Sequence, residues 1–137
     1  STWRFLMRDP DSAAHALGKM LLYLGEDNIL WGTDSIWYGS PQDQIQAFRA
    51  FQISEEFQDR YGYPALTPEI KRKILGLNAL RPYRLEPEVL RHHLGDDAVQ
   101  LTRAEYRDVA DPHFRTFGPK TRREFFNLMR WTGGEAA

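Results

Sequence analysis

The most informative segment of this chain is Asn28-Ile29-Leu30-Trp31-Gly32-Thr33-Asp34. Its short apolar run is typical of a buried strand, which Gly32-Thr33 ends at the carboxylate of Asp34. In parallel α/β folds, the carboxyl ends of the strands carry the catalytic groups. A carboxylate there can bind a divalent metal or accept a proton from a metal-bound water. From the tripeptide alone, the alternative that Asp34 serves a turn or caps a helix stays open.

Helical patterns surround this strand. Leucines and a methionine at three- and four-residue spacing predict a helix that ends at Gly25, with Asp11 or Ser12 as its cap. In a later helix we expect Lys71, Arg72 and Lys73 to lie on the outer side. Further helix openings are predicted at Ser40-Pro41, Ser54, Thr67-Pro68, Pro87, Thr102 and Pro119, and Asn78 is predicted to cap a short turn.

The chain is therefore predicted to be mainly α-helical with one or two short strands. The second, weaker strand signal is Trp3-Arg4-Phe5-Leu6-Met7. A lone parallel strand leaves its backbone groups without hydrogen-bond partners. We therefore expect the partners upstream in a longer chain or in another subunit.

Composition narrows the classes of partner. The 137 residues carry 18 basic and 19 acidic side chains, so a formal charge of -1 gives no electrostatic reason to expect nucleic acid or an acidic membrane. No apolar run approaches the roughly 20 residues that span a bilayer. Cysteine is absent, which excludes disulfides and thiolate sites and fits a reducing compartment. We expect no nucleic-acid partner, no membrane partner and a cytoplasmic location.

The order of helix, strand, Gly-Thr-Asp and capped helix resembles the last β/α unit of a (β/α)8 TIM barrel of amidohydrolase family 2, within the amidohydrolase superfamily. The resemblance covers residues 1–83, which we expect to form the carboxyl-terminal β/α units of such a barrel, followed by a helical extension over 84–137. The residues that carry it are Asp9-Pro10, Ala14-His15-Ala16-Leu17-Gly18-Lys19, Ile29–Asp34, Ser40-Pro41-Gln42-Asp43-Gln44-Ile45 and Lys71–Ala79.

The resemblance implies a metal-dependent hydrolase or decarboxylase of small molecules, in which Asp34 is the eighth-strand aspartate. This residue would lie beside a divalent metal, most often zinc, as its ligand or as the base that activates water. Asn78 would be structural. The family's H-x-H pair is missing, since the four histidines, His15, His92, His93 and His113, neither form it nor match a ligand position. We therefore expect a carboxyl-terminal piece of a longer enzyme, which in isolation is inactive and holds no cofactor.

Other candidate residues have structural alternatives. Trp37 and Tyr38 follow Asp34 and either line a substrate pocket or cover the strand end. His15 is predicted to pack or to cap rather than to bind metal, since a metal site needs three or four convergent ligands. His92 and His93 are adjacent, so on a helix they point about 100° apart, which favours a role at the helix C-terminus over a shared metal.

A second hypothesis from another class is a free-standing helical interaction module. Its basis is the short length, the several capped helices and an apolar last helix that contains Phe125, Phe126, Met129 and Trp131. This hypothesis predicts self-association into a homo-oligomer without a tightly bound metal or catalysis.

Overall fold

The computed structural model describes residues 2–34, 41–89, 91, 97–109 and 119–131. In these ranges the chain is mainly helical, as predicted, and no helix there combines the length and apolarity needed to cross a bilayer. Short 3-10 turns lie at Glu26–Asn28 and Leu77–Ala79, and residues 87–89 and 91 are helical. The α-helices are α1 (Thr2–Arg8), α2 (Pro10–Leu24), α3 (Pro41–Ala50), α4 (Glu55–Tyr61), α5 (Pro68–Leu75), α6 (Leu80–Tyr83), α7 (Ala98–Val109) and α8 (Arg122–Trp131).

The described residues contain no β-strand, which corrects the prediction of one or two. The weaker strand signal, over residues 3–7, lies inside α1 and was wrong. At the stronger one, Ile29 is extended (φ −107°, ψ 125°), but the segment has no neighbouring strand. Instead, the backbone N–H of Trp31 donates to the carbonyl of Ile74 in α5, at 3.0 Å. An extended backbone becomes a strand only beside another one, and among these residues its neighbour is a helix.

Side-chain caps explain where several helices begin. Ser54 accepts a hydrogen bond from the N–H of Phe57, and Thr67 accepts one from Ile70, both at 3.3 Å, as the sequence predicted. The cap of α2 is Asp9, ahead of the two predicted residues. Each cap satisfies one of the N–H groups that a helix start leaves unpaired.

The last two helices begin differently from the prediction. Thr102 lies inside α7, so its predicted role as a cap was wrong; instead Asp97 accepts from the N–H of Gln100 at 3.0 Å. Before α8, Thr121 accepts from the N–H of Glu124 at 3.2 Å, and Glu124 accepts in return from Thr121. This reciprocal pair is a capping box.

Two compact units divide the chain. The first comprises Ser1–Asn78 together with Gly118–Ala137, and the second comprises Ala79–Phe117. The first unit thus includes α8 as well as residues 1–78 of the sequence that resembles a barrel. The predicted boundary between 83 and 84 concerns that resemblance and stays a prediction.

The core of the first unit draws buried residues from α1, α2, α3, α5 and α8 and from the loops between them. Arg122 of α8 donates from Nε to the carbonyl of Met7 in α1, and its guanidinium lies 5.1 Å from the ring centre of Phe126. The last helix is therefore an integral part of this core. The most deeply buried large side chains are Met7, Gln44, Phe48, Leu66 and Phe125.

Lys71 does not lie on the outer side of its helix, contrary to the prediction. It is only 7% exposed, and its Nζ donates to the carbonyls of Arg49 (2.7 Å) and Phe51 (2.6 Å) at the end of α3. Carbonyls at a helix C-terminus carry partial negative charge and favour a cation. Burial nevertheless lowers the pKa of Lys71 to about 8, and the positive charge of Arg49 adds to this effect.

Candidate functional site

The extended segment from Ile29 to Asp34 has two distinct sides. Ile29 is buried, and Trp31 and Thr33 are half-buried, whereas the alternate residues Leu30, Gly32 and Asp34 are exposed. This two-residue alternation is the side-chain pattern of a strand with one covered face. Asp34 therefore belongs to the uncovered side of the segment, at its carboxyl end.

Contacts with α3 and α5 fix the covered side. The ring of Trp31 packs on Phe48 of α3, with ring centres 4.7 Å apart. Its backbone N–H is the donor to Ile74 described above. Because one residue is bonded through its backbone and packed through its side chain, the position of the segment against both helices is fixed.

Asn78 and Lys73 hold the turn that precedes the segment. Asn78 Nδ2 donates to the carbonyls of Glu26 (2.7 Å) and Ile29 (2.8 Å). Lys73 pairs with Glu26 and with Asp27, the latter at 2.8 Å. These hydrogen bonds, to Asp27 first and then to Glu26, raise the pKa of Lys73. Asn78 was predicted to cap a turn of its own; it instead reaches back to an earlier one.

Asp34 has a left-handed backbone conformation, with φ of 46°. Few residues other than glycine adopt positive φ, and aspartate is among those that tolerate it. The carboxylate is exposed at the point where the extended segment ends. This places an acidic group where the sequence predicted one, at the tip of the apolar run.

The described residues supply only part of what a metal centre needs. Among them, no group of three or more His, Asp or Glu side chains is arranged to hold a metal ion. A carboxylate is a suitable ligand for a divalent cation, but one ligand does not make a site. Trp37, Tyr38, His92, His93 and His113 lie outside the described residues, so their predicted roles stay predictions.

His15, the one histidine in the described ranges, lies in an aromatic cluster. Its Nδ1 is 3.0 Å from the hydroxyl oxygen of Tyr63, and its ring centre lies 4.6 Å from that of Phe57 and 4.7 Å from that of Tyr61. Both nearby rings belong to α4. His15 thus joins α2 to α4 and its following loop, and the predicted packing role is confirmed.

A family model described as Amidohydrolase matches residues 7–85, which is more than half of the chain. The chain belongs to the amidohydrolase family. The match includes both Asp34 and Asn78, and membership indicates hydrolase-type chemistry. No curated protein and no solved structure matches this amidohydrolase chain.

The sequence reasoning missed buried polar atoms that have no hydrogen-bond partner among the described residues. Gln44 in α3 is fully buried, and neither atom of its amide has a hydrogen-bond partner in the described part of the chain. The buried Trp31 Nε1 also has none there. The only sequence signal for Gln44 is its spacing of four residues before Phe48, which places both on one face of α3.

Proposed function

We propose that this chain supplies the last β/α unit of a metal-dependent hydrolase with a (β/α)8 barrel, and that Asp34 is its eighth-strand aspartate. The observation that carries the proposal is the position of Asp34. It ends the extended segment on the side turned away from the helices, within the region matched by the amidohydrolase family. In a barrel this side faces the interior, where the strand ends form the active site.

The unpaired edge of the extended segment supports the barrel. Within the described ranges, the backbone hydrogen bonds of residues 29–33 to other elements are those to Ile74 and Asn78. Buried polar groups in native proteins are nearly always paired. The amide of Gln44 and the indole N–H of Trp31, which have no partner among the described residues, are therefore consistent with packing against residues beyond them.

The proposed chemistry assigns Asp34 one role at its carboxylate. A bound divalent metal, for which we propose zinc, polarises a carbonyl and lowers the pKa of a water. The Asp34 carboxylate would hold one coordination position or accept a proton at one oxygen. The remaining ligands would come from the other strands of the barrel, so the 137 residues alone are proposed to be inactive. The substrate would be a small molecule in a reducing, cytoplasmic setting.

The test compares Asp34→Asn with wild type in the natural enzyme that contains this sequence. Zinc content would be measured by mass spectrometry of the metal, and turnover with p-nitrophenyl acetate as a probe ester. We expect Asp34→Asn to lower zinc affinity or turnover at least about tenfold, the lower end of losses seen even for groups that only support metal ligands. Asp59→Asn, an exposed acidic residue of α4, is the matched control. Wild-type zinc content and turnover in Asp34→Asn would sink the proposal.

A second candidate, the self-associating helical module, has one observation in its favour. On α2, Met20, Tyr23 and Leu24 are 40%, 78% and 53% exposed and are spaced three and four residues apart, so they form an apolar strip. In the helical-module candidate, a second copy of the chain would bury this strip. In the barrel proposal, the rest of the enzyme would bury it. Sedimentation of the 137-residue chain separates them: a folded monomer argues against the module.

A further inference from the structure

One nitrogen of Asn78 ties together two points of the chain about 50 residues earlier. Nδ2 donates to the carbonyl of Glu26 at 2.7 Å and to that of Ile29 at 2.8 Å. Both partners are acceptors, so the amide orientation is set by the contacts themselves. Each N–H of the amide is used, and the side chain is half-buried.

The two acceptors bracket the 3-10 turn before the extended segment. Glu26 begins that turn and Ile29 is the residue directly after it. Because both carbonyls bond to the same nitrogen, their separation is fixed, and so is the direction in which the chain leaves the turn. The bond from Trp31 to Ile74 comes two residues later, on the same side.

A small change in that direction is amplified at Asp34. Trp31 is held by its bond to Ile74 and by Phe48, so the free arm runs from Trp31 to Asp34, three residues or about 10 Å at about 3.3 Å each. A rotation of about 6° at its base moves the far end by about 1 Å, and a misplacement of this size can lower a rate about 100-fold. The exposed side of the segment has no contact that would correct such a movement, within the part of the chain that the structure describes.

We propose that Asn78 is a positioning residue for Asp34, acting through the backbone that leads from Ile29. This inference rests on the proposed function of Asp34. The hydrogen bonds of Asn78 Nδ2 go to backbone carbonyls, so the proposal gives Asn78 no part in the chemistry itself. Its amide sets where the Asp34 carboxylate stands relative to substrate and to groups beyond the described residues.

The test uses Asn78→Ala, which removes both hydrogen bonds, and Asn78→Ser, whose single hydroxyl can donate only one. In the natural enzyme, with p-nitrophenyl acetate as the probe, we expect kcat to fall about 100-fold for Asn78→Ala and less for Asn78→Ser. KM should change less than about threefold, since the binding of the remote parts of the ester is untouched. Thr67→Ala is the control, because it removes a cap of α5 without touching the segment.

A second readout does not depend on activity. In NMR spectra of the 137-residue chain, the Asn78 variants should shift the backbone resonances of Gly32 to Asp34 and change the coupling constant that reports the φ of Asp34. Thr67→Ala should leave these signals in place. If Asn78 has a purely structural role, the Asn78 variants and Thr67→Ala should all lose thermal stability, while kcat per folded molecule and the Asp34 signals stay unchanged. This result would overturn the inference.

The two proposals fail in different ways. If Asp34→Asn retains wild-type turnover, the role proposed for Asp34 is wrong whatever Asn78 does. If Asp34→Asn is inactive but both Asn78 variants keep the wild-type kcat, only the positioning role is wrong. If Asn78→Ala does not fold, Asn78→Ser alone decides the question by the same two readouts.

Discussion

Gly18 lies inside α2 with the ring of Tyr63 directly against its backbone. A Cβ placed on Gly18 would lie 2.5 Å from Cγ and 2.9 Å from Cε2 of that ring, with Cδ2 also within contact. Carbon atoms in favourable contact are about 3.5–4.0 Å apart. The ring has little room to move, because Tyr63 is 6% exposed and its hydroxyl is bonded to His15. Gly18→Ala therefore forces an overlap of about 1 Å.

Gly18→Ala should change the free energy of unfolding in the direction opposite to that expected from helix propensity. Replacing an interior helical glycine by alanine ordinarily stabilises a helix by about 1 kcal/mol. Overpacking a buried site costs about 1–3 kcal/mol, and displacing Tyr63 from His15 sacrifices a hydrogen bond of about 1 kcal/mol. We expect Gly18→Ala to lower the free energy of unfolding by about 2 kcal/mol, a fall in Tm of about 8 °C for a chain of this size.

Urea denaturation followed by far-ultraviolet circular dichroism measures this difference. Ala16→Gly, at an exposed position of the same helix, is the control for propensity and should cost about 1 kcal/mol. In a Tyr63→Ala background, where the ring is gone, Gly18→Ala should become stabilising. If Gly18→Ala stabilises the wild type, or has the same effect in both backgrounds, the reasoning from the overlap is wrong.

Three further predictions concern charge and the last helix. Between pH about 8 and 10.5, Lys71 is protonated in the unfolded chain but has lost its proton in the folded chain. The free energy of unfolding of the wild type, measured by urea titration relative to Lys71→Met, should therefore rise with pH by at most about 3 kcal/mol. A flat or falling difference would contradict this sign. Because the pKa of Lys73 is raised, its ion pairs stabilise the fold below pH 10.5, and this stabilisation is lost as pH rises through the folded-state pKa. Lys73→Met should lower the free energy of unfolding in low salt and much less in about 1 M NaCl. Equal losses at both salt concentrations would refute the ion-pair origin. Calorimetry should show that Phe125→Ala, at a fully buried side chain, lowers the free energy of unfolding by about 3–5 kcal/mol. Trp131→Ala, at a side chain that is 88% exposed, should change it by no more than about 0.5 kcal/mol. Similar losses for the two variants would mean that α8 does not pack as described.

Local signals were sufficient to predict several helix boundaries. Ser54 and Thr67 cap the helices that they were expected to cap, and Gly25 ends α2 as predicted. These signals act within three or four residues, so the sequence displays them directly. The capping box of Thr121 and Glu124 has the same kind of signature and was overlooked, which shifted the predicted start of α8 to Pro119.

Contacts between residues far apart in sequence explain the predictions that were wrong. Lys71 belongs to a basic run, and nothing local shows that carbonyls at the end of α3 surround its ammonium group. Asn78 was assigned to its own turn because its acceptors, Glu26 and Ile29, are remote in sequence. The apolar run at 29–31 has the alternation of a strand, but pairing depends on a second backbone, which no local pattern supplies.

For the candidate site, the sequence indicated Asp34 at the end of the apolar run but not the hydrogen bonds that hold this run in place. Asp34 could be found because an apolar run ending in Gly-Thr-Asp is visible in one short stretch. The hydrogen bonds that fix this stretch come from residues 74–78, and only the folded chain brings them beside it. The exposed left-handed conformation of Asp34 likewise has no local signal, since aspartate serves many turn geometries.

The path of the chain makes the first unit a natural split protein. The polypeptide leaves that unit after Asn78 and re-enters it at Gly118, where α8 contacts α3 and adds buried Phe125 and Met129 to the same core. A cut between residues 79 and 117 would leave two fragments whose shared apolar surface remains complete. We therefore expect two separately expressed halves to reassemble by noncovalent contact, and the intervening 79–117 stretch to tolerate an insertion.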